Sequence, residues 1–121
     1  MKALVIDDSR LSRVMIAKEL AQFGFQEIVE AEDGIVALEK IDLGRYDLIT
    51  LDLVMPRKGG IEVLKYIRCK NPETPVIICT SSNYSEFEQE IGDVWCIKKP
   101  FSSDELLQVL AKQGLGSKVI A

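Results

Sequence analysis

Five short runs of this chain are apolar at nearly every position and rich in branched side chains. They are Ala3-Leu4-Val5-Ile6, a weaker stretch from Gln26 to Ala31 around Ile28 and Val29, Leu48-Ile49-Thr50-Leu51, Val76-Ile77-Ile78-Cys79 and Val94-Trp95-Cys96-Ile97. A strand with one wet face alternates apolar and polar residues. A run that is apolar throughout suits a strand buried on both faces, as in parallel sheets.

Helical spacing fills the intervals. Ser9 to Phe23 begins on an N-capping serine, stops before Gly24, and places Ile16, Leu20 and Phe23 on one face, with Val14 and Met15 blurring the stripe. Asp33 to Leu43 carries Ala37, Leu38 and Ile41, and Gly60 to Lys70 carries Leu64 and Ile67. A shorter segment, Tyr84 to Ile91, sets Tyr84, Phe87 and Ile91 on one side. Ser102 or Ser103 caps a last helix with Leu106, Leu107, Leu110 and Ala111 inward, ended by Gly114 and Gly116. The order is (βα)5, which calls for a parallel sheet with helices on both faces and right-handed crossovers. One domain is expected over 1–121, with its core at about 2–113 and a short tail at 114–121 frayed at its end.

Composition narrows the function classes. The net charge of −4 argues against nucleic-acid binding driven by bulk charge. With no histidine, zinc coordination and Ser-His-Asp or Cys-His catalysis drop out. Cys69, Cys79 and Cys96 are odd in number, widely spaced and free of a CxxC pattern, so a reducing cytoplasm is expected. No apolar stretch approaches the ~18 residues of a membrane span, and acid comes after only four apolar residues, too early for a signal peptide.

The residues just past each run are more informative. Asp7 and Asp8 stand after the first, Asp52 after the third, Thr80 after the fourth, and Lys98-Lys99-Pro100 after the fifth. Open parallel α/β sheets bind ligands outside the carboxyl ends of their strands, so these groups are expected to converge on one rim. Any one aspartate alone reads as a turn former or helix cap; four strand ends that fit one reaction read otherwise. Three crowded carboxylates need a hard cation, and Mg2+, which keeps several waters, suits them. Asp52 is then a nucleophile for phosphoryl transfer, with Lys99 and the Thr80 hydroxyl neutralising and orienting the phosphoryl oxygens.

In these motifs the sequence closely resembles the receiver domain of two-component response regulators. The motifs are VIDDSR at 5–10, TLDLVMP at 50–56, the loop glycine Gly60, CTSS at 79–82 and KKPF at 98–101. The resemblance covers about residues 2 to 113 and implies a flavodoxin-like doubly wound fold with strand order 2-1-3-4-5. It also implies a phosphoryl group taken by Asp52 from a histidine kinase or phosphotransfer protein with Mg2+, or Mn2+ in its place. By the same resemblance, Asp8 is a direct metal ligand, Asp7 acts through water, and the Val54 backbone carbonyl is the third protein ligand. Thr80 matches the switch hydroxyl and Lys99 the phosphate-binding lysine. The bond before Pro100 is expected to be cis. Such a domain is a phosphoacceptor with its own Mg2+-dependent chemistry rather than a classical enzyme.

Three departures stand out. Cys96 occupies the switch position that is usually Tyr or Phe, and Gly59 stands where Asp is common. Val54 and Ser82 fill the two positions that tune dephosphorylation. An apolar Val54 cannot orient an attacking water, so phosphate release is expected not to be especially fast. The output surface is expected on the fourth helix, fifth strand and fifth helix, near Tyr84, Phe87 and Trp95, facing a downstream protein rather than nucleic acid or membrane. No output domain is expected within the chain.

Three alternatives compete. A phosphohydrolase with an aspartate nucleophile would carry an acid where Val54 stands. A flavin-binding domain would open on a hydroxyl- and glycine-rich loop, not Asp7-Asp8. A degenerate receiver, serving only as an interaction module without phosphorylation, is suggested by Cys96 and Gly59 and opposed by the intact Asp8, Asp52, Thr80 and Lys99.

Overall fold

The computed structural model describes residues 1–55, 57–81 and 84–113. The strands are β1 (Lys2–Ile6), β2 (Glu27–Ala31), β3 (Leu48–Leu51), β4 (Val76–Thr80) and β5 (Trp95–Lys98). The helices are α1 (Arg10–Phe23), α2 (Gly34–Leu43), α3 (Gly60–Lys70), α4 (Glu88–Ile91) and α5 (Ser103–Lys112), with a 3-10 turn at Tyr84–Phe87 leading into α4. All four strand pairings are parallel, in the order β2-β1-β3-β4-β5. This is the expected flavodoxin-like arrangement.

Alternation along the strands divides the core in two. Leu4, Ile6, Ile49, Leu51 and Ile78 pack against Ala37 and Ile41 of α2, Val63, Leu64 and Ile67 of α3, and Ile91 of α4. Ala3, Val5, Leu48, Ile77, Cys79 and Ile97 pack against Ile16 and Leu20 of α1 and Leu106 and Leu110 of α5. Each such Leu or Ile, fully buried, contributes about 1.5–3 kcal/mol. The central strands are dry on both sides, as their unbroken apolar runs require.

Local chemistry sets the helix ends. Ser9 caps α1, its Oγ accepting the Ser12 N–H at 3.2 Å. Asp33, expected to open α2, is instead its cap and accepts the Val36 N–H at 2.9 Å. Ser102 and Glu105 form a reciprocal capping box on α5.

Some expectations need correction. Leu107 and Ala111 are exposed, because α5 packs on the sheet through Leu106 and Leu110, with Val109 half-buried beside them. Val14 and Met15 turn outward, at 52% and 58% exposure. The fourth helix keeps one α-helical turn, and β5 begins at Trp95 rather than Val94. Ser82, the Tyr84 side chain, Gly114, Gly116 and the rest of the tail lie outside the described residues.

Candidate functional site

The rim at the carboxyl ends of the strands is built by extending the sheet ladder one residue past β1, β3 and β5. The Asp7 N–H donates to the Ala31 carbonyl at 3.1 Å, and the Asp52 N–H to the Ile6 carbonyl at 3.0 Å. The Lys99 N–H donates to the Thr80 carbonyl at 2.9 Å. The main chains at Asp7, Asp52, Thr80 and Lys99 are thereby fixed relative to one another.

Carboxylate oxygens of Asp7, Asp8 and Asp52 lie within 4.8 Å of one another. Asp7 and Asp52 are buried, whereas Asp8 is exposed. Lys99 Nζ sits between the two buried acids. It is hydrogen-bonded to Asp7 Oδ2, lies 3.4 Å from Asp52 Oδ2, and donates to Ser12 Oγ at 3.3 Å. The remaining oxygens have backbone donors: the Ser9 N–H reaches Asp7 Oδ1 at 2.9 Å, and the Val54 N–H reaches Asp52 Oδ1 at 3.2 Å. Val54 itself projects outward at 60% exposure. Thr80 is fully buried at the end of β4, and the Lys99–Pro100 peptide bond is cis.

This packing sets the electrostatics. Burial raises the Asp7 pKa above its ordinary value, and Asp52 nearby pushes the same way, against the Lys99 and Ser9 hydrogen bonds. Burial works against the Lys99 charge, yet the hydrogen bond to Asp7 and the charges of Asp52 and Asp7 carry its pKa above the ordinary lysine value. Cys79, wholly enclosed on the α1–α5 side, has its thiol pushed up to about 12 by burial. It is a packing residue, not a nucleophile.

The donor set suits a hard divalent cation. The three clustered ligands are all carboxylate oxygens, and the exposed Asp8 brings the cluster to the edge of solvent. Lys98 points outward and joins none of these contacts. Cys96 lies half-buried on the other sheet face, with its Sγ 3.6 Å from the Val94 carbonyl.

Sequence reading missed three supports. Arg13 donates to the Asp7 carbonyl at 2.8 Å and pairs with Glu30 at 3.0 Å, bracing the β1 end. A Cβ on Gly34 would lie 2.2 Å from the Lys58 carbonyl oxygen, so α2 and the β3–α3 loop touch through backbone. Arg57 in that loop pairs with Asp33 at 2.7 Å. Only the helical spacing around Gly34 offered any signal for these. Gly60, noted from its motif, proves necessary sterically: its Cβ would fall 2.3 Å from the Asp52 carbonyl oxygen.

Similarity to known proteins agrees with this geometry. Residues 3–111 match the family described as response regulator receiver domain. The chain is 34% identical to the chemotaxis protein CheY of Listeria monocytogenes, over 93% of this chain and 97% of that one. It is 32% identical to CheY of Bacillus subtilis, over 92% and 95%. Among solved structures, the response regulator TrrA of Thermotoga maritima, in complex with Mg2+ and BeF, superposes with a TM-score of 0.84 at 34% identity. That match covers 93% of this chain and 97% of TrrA.

Proposed function

Because this chain belongs to the response regulator receiver domain family, we propose that it accepts a phosphoryl group on Asp52 and uses the added charge to switch a protein-binding surface. The observation that carries this reading is the meeting of Asp7, Asp8 and Asp52 within 4.8 Å, with the Lys99 ammonium between the two buried acids. Asp8, Asp52 and the Val54 carbonyl would hold Mg2+ directly, or Mn2+ in its place, and Asp7 would hold it through water. A bound Mg2+ offsets the carboxylate charge and takes phosphoryl oxygens.

In the transfer, an Asp52 carboxylate oxygen forms a bond to phosphorus as the P–N bond to the donor's imidazole breaks, and the imidazole leaves with that electron pair. A histidine kinase or phosphotransfer protein supplies the donor. A groove of about 430 Å3 beside Lys99, lined by Ser12, Met15, Ser81 and Phe101, gives such a donor an approach along α1. Lys99 then turns from Asp7 to the new phosphoryl oxygens, and Thr80 donates its hydroxyl to them. The change passes through the segment after Thr80 into α4 and β5, a population shift between two packings biased by local charge. The output surface is assigned to α4, β5 and α5, where Trp95 is 40% exposed and Lys112 Nζ lies 5.0 Å above its ring.

Among the described residues no helix is long and apolar enough to cross a membrane. Cytoplasmic action fits this and the three free thiols.

The test is intact mass after treatment with a small phosphodonor and Mg2+. The reading requires the mass of one phosphoryl group, dependent on Mg2+ and lost in Asp52→Asn. An unmodified wild-type mass under conditions that phosphorylate a control receiver would favour the pure interaction module.

A further inference from the structure

The carbonyl of Val54 stands in a loop, and loops do not hold a ligand atom in place unless something fixes them. The described residues of the loop after β3, 53–55 and 57–59, are pinned at the base, where the Gly60 N–H donates to the Leu53 carbonyl at 3.0 Å. Met55 gives it an apolar anchor against the core. Its far side is held by Arg57. Among the described residues Arg57 is the one non-glycine with positive φ, at 68°. A side chain in that backbone region persists where its surroundings hold it there.

Here the surroundings are Asp33. Arg57 donates to Asp33 Oδ2 from Nε at 2.9 Å, and its Nη2 lies 2.7 Å from the same oxygen as an ion pair. Asp33 is 7% exposed and cannot swing away, because its other oxygen caps α2 through the Val36 N–H at 2.9 Å. The Val36 N–H bond, then the Arg57 guanidinium, keep the Asp33 carboxyl below its ordinary range, so the pair stays charged. The Gly34 backbone presses on Lys58 in the same place. The loop is therefore clasped to the start of α2 by one ion pair and one backbone contact.

We propose that the Arg57–Asp33 pair is a positioning device for the metal, fixing the loop that carries Val54, whose N–H is tied to Asp52 Oδ1, so that its carbonyl can serve as a ligand. The inference rests on the phosphoacceptor reading, in which Val54 supplies a metal ligand. Neither Arg57 nor Asp33 touches the metal; both act through the loop. Partners that orient metal ligands change affinity without changing the ligand set.

The test measures Mg2+ affinity by titration calorimetry, alongside urea unfolding, for wild type, Arg57→Ala, Arg57→Gly, Asp33→Asn and the Asp33→Asn/Arg57→Ala double variant. Asn keeps the helix cap while removing the charge. Arg57→Gly relieves the left-handed backbone while removing the clasp, so it separates loop position from fold stability. Each single variant is expected to weaken Mg2+ binding about tenfold. The double variant should be no weaker than the worse single one, and Arg57→Gly should lose affinity without a lower urea midpoint. Wild-type binding with unchanged constants in the variants would overturn the positioning role alone, as would losses that simply add. A wild type that binds no Mg2+ would overturn both this role and the phosphoacceptor reading beneath it.

Discussion

The rim at Asp7, Asp52 and Lys99 and the flank formed by α4 and β5 are built to different standards. At the rim, Asp7, Asp52 and Lys99 are cross-tied. Asp7 has Ser9 and Lys99, Asp52 has Val54 and Lys99, and their main chains are locked into the sheet. In the flank, α4 is one turn long, Ile91 is its only buried residue, and Ile97 is the only buried residue of β5. The end of α4 is held from outside: Arg68 of α3 donates to the Glu90 carbonyl at 2.7 Å and also to the Ile91 carbonyl. Charge chemistry tolerates little displacement, whereas a surface held by few buried contacts opens at lower cost. Cys96 belongs to this flank, half-buried, with its Sγ 3.6 Å from the Val94 carbonyl.

The largest expected effect tests the tight region. Gly60→Ala should destabilise the protein by about 3 kcal/mol, because the new methyl meets main chain at Asp52 and Leu53 that cannot yield. Gly59→Ala, whose methyl meets nothing within 4 Å, should shift the urea midpoint little. Equal effects would show that the loop is looser than described.

Next comes Lys99→Met, which leaves Asp7 and Asp52 buried without their cation and should cost about 2–3 kcal/mol at neutral pH. The pH dependence carries a second signature. Because the folded Lys99 pKa is raised, its contribution is complete below the ordinary lysine value of 10.5 and fades as pH rises through the higher folded value. The variant should lack that part of the alkaline loss. Asp7 acts with the same sign at the acid end: its raised folded pKa means stability falls as pH climbs above 3.8 through the folded value. An alkaline profile identical in wild type and Lys99→Met would contradict the assignment.

The smallest effect belongs to the flank. Arg68→Ala should cost only about 1 kcal/mol globally. It should nevertheless speed hydrogen exchange at the Gly92 N–H, which donates to the Glu88 carbonyl, while leaving the Asp52 N–H protected. Acceleration at both amides would dissolve the distinction between the two regions.

The tight region was the more legible in the sequence. Unbroken apolar runs mark doubly buried strands, and an acid, hydroxyl or amine directly after a run falls on the sheet's rim by topology alone. Gly60 announced itself in its motif. Arg57 did not, because its partner Asp33 is 24 residues away and its left-handed backbone has no sequence signature when glycine is absent. Helical spacing places Leu107 and Ala111 inward, but α5 packs on the sheet through Leu106 and Leu110, with Val109 half-buried beside them. The one-turn α4 shows the same limit: three apolar residues on one side suggest a helix without fixing how much of it closes α-type hydrogen bonds.

The most direct test of the central claim is a crystal structure with Mg2+ and beryllofluoride, a stable phosphoryl mimic. The account predicts the mimic bonded to an Asp52 carboxylate oxygen and Mg2+ bonded to Asp8, Asp52 and the Val54 carbonyl. It also predicts that Lys99 Nζ moves from Asp7 to a fluorine, with the Thr80 hydroxyl on another. Beryllofluoride absent from Asp52, or a metal held by other residues, would contradict it.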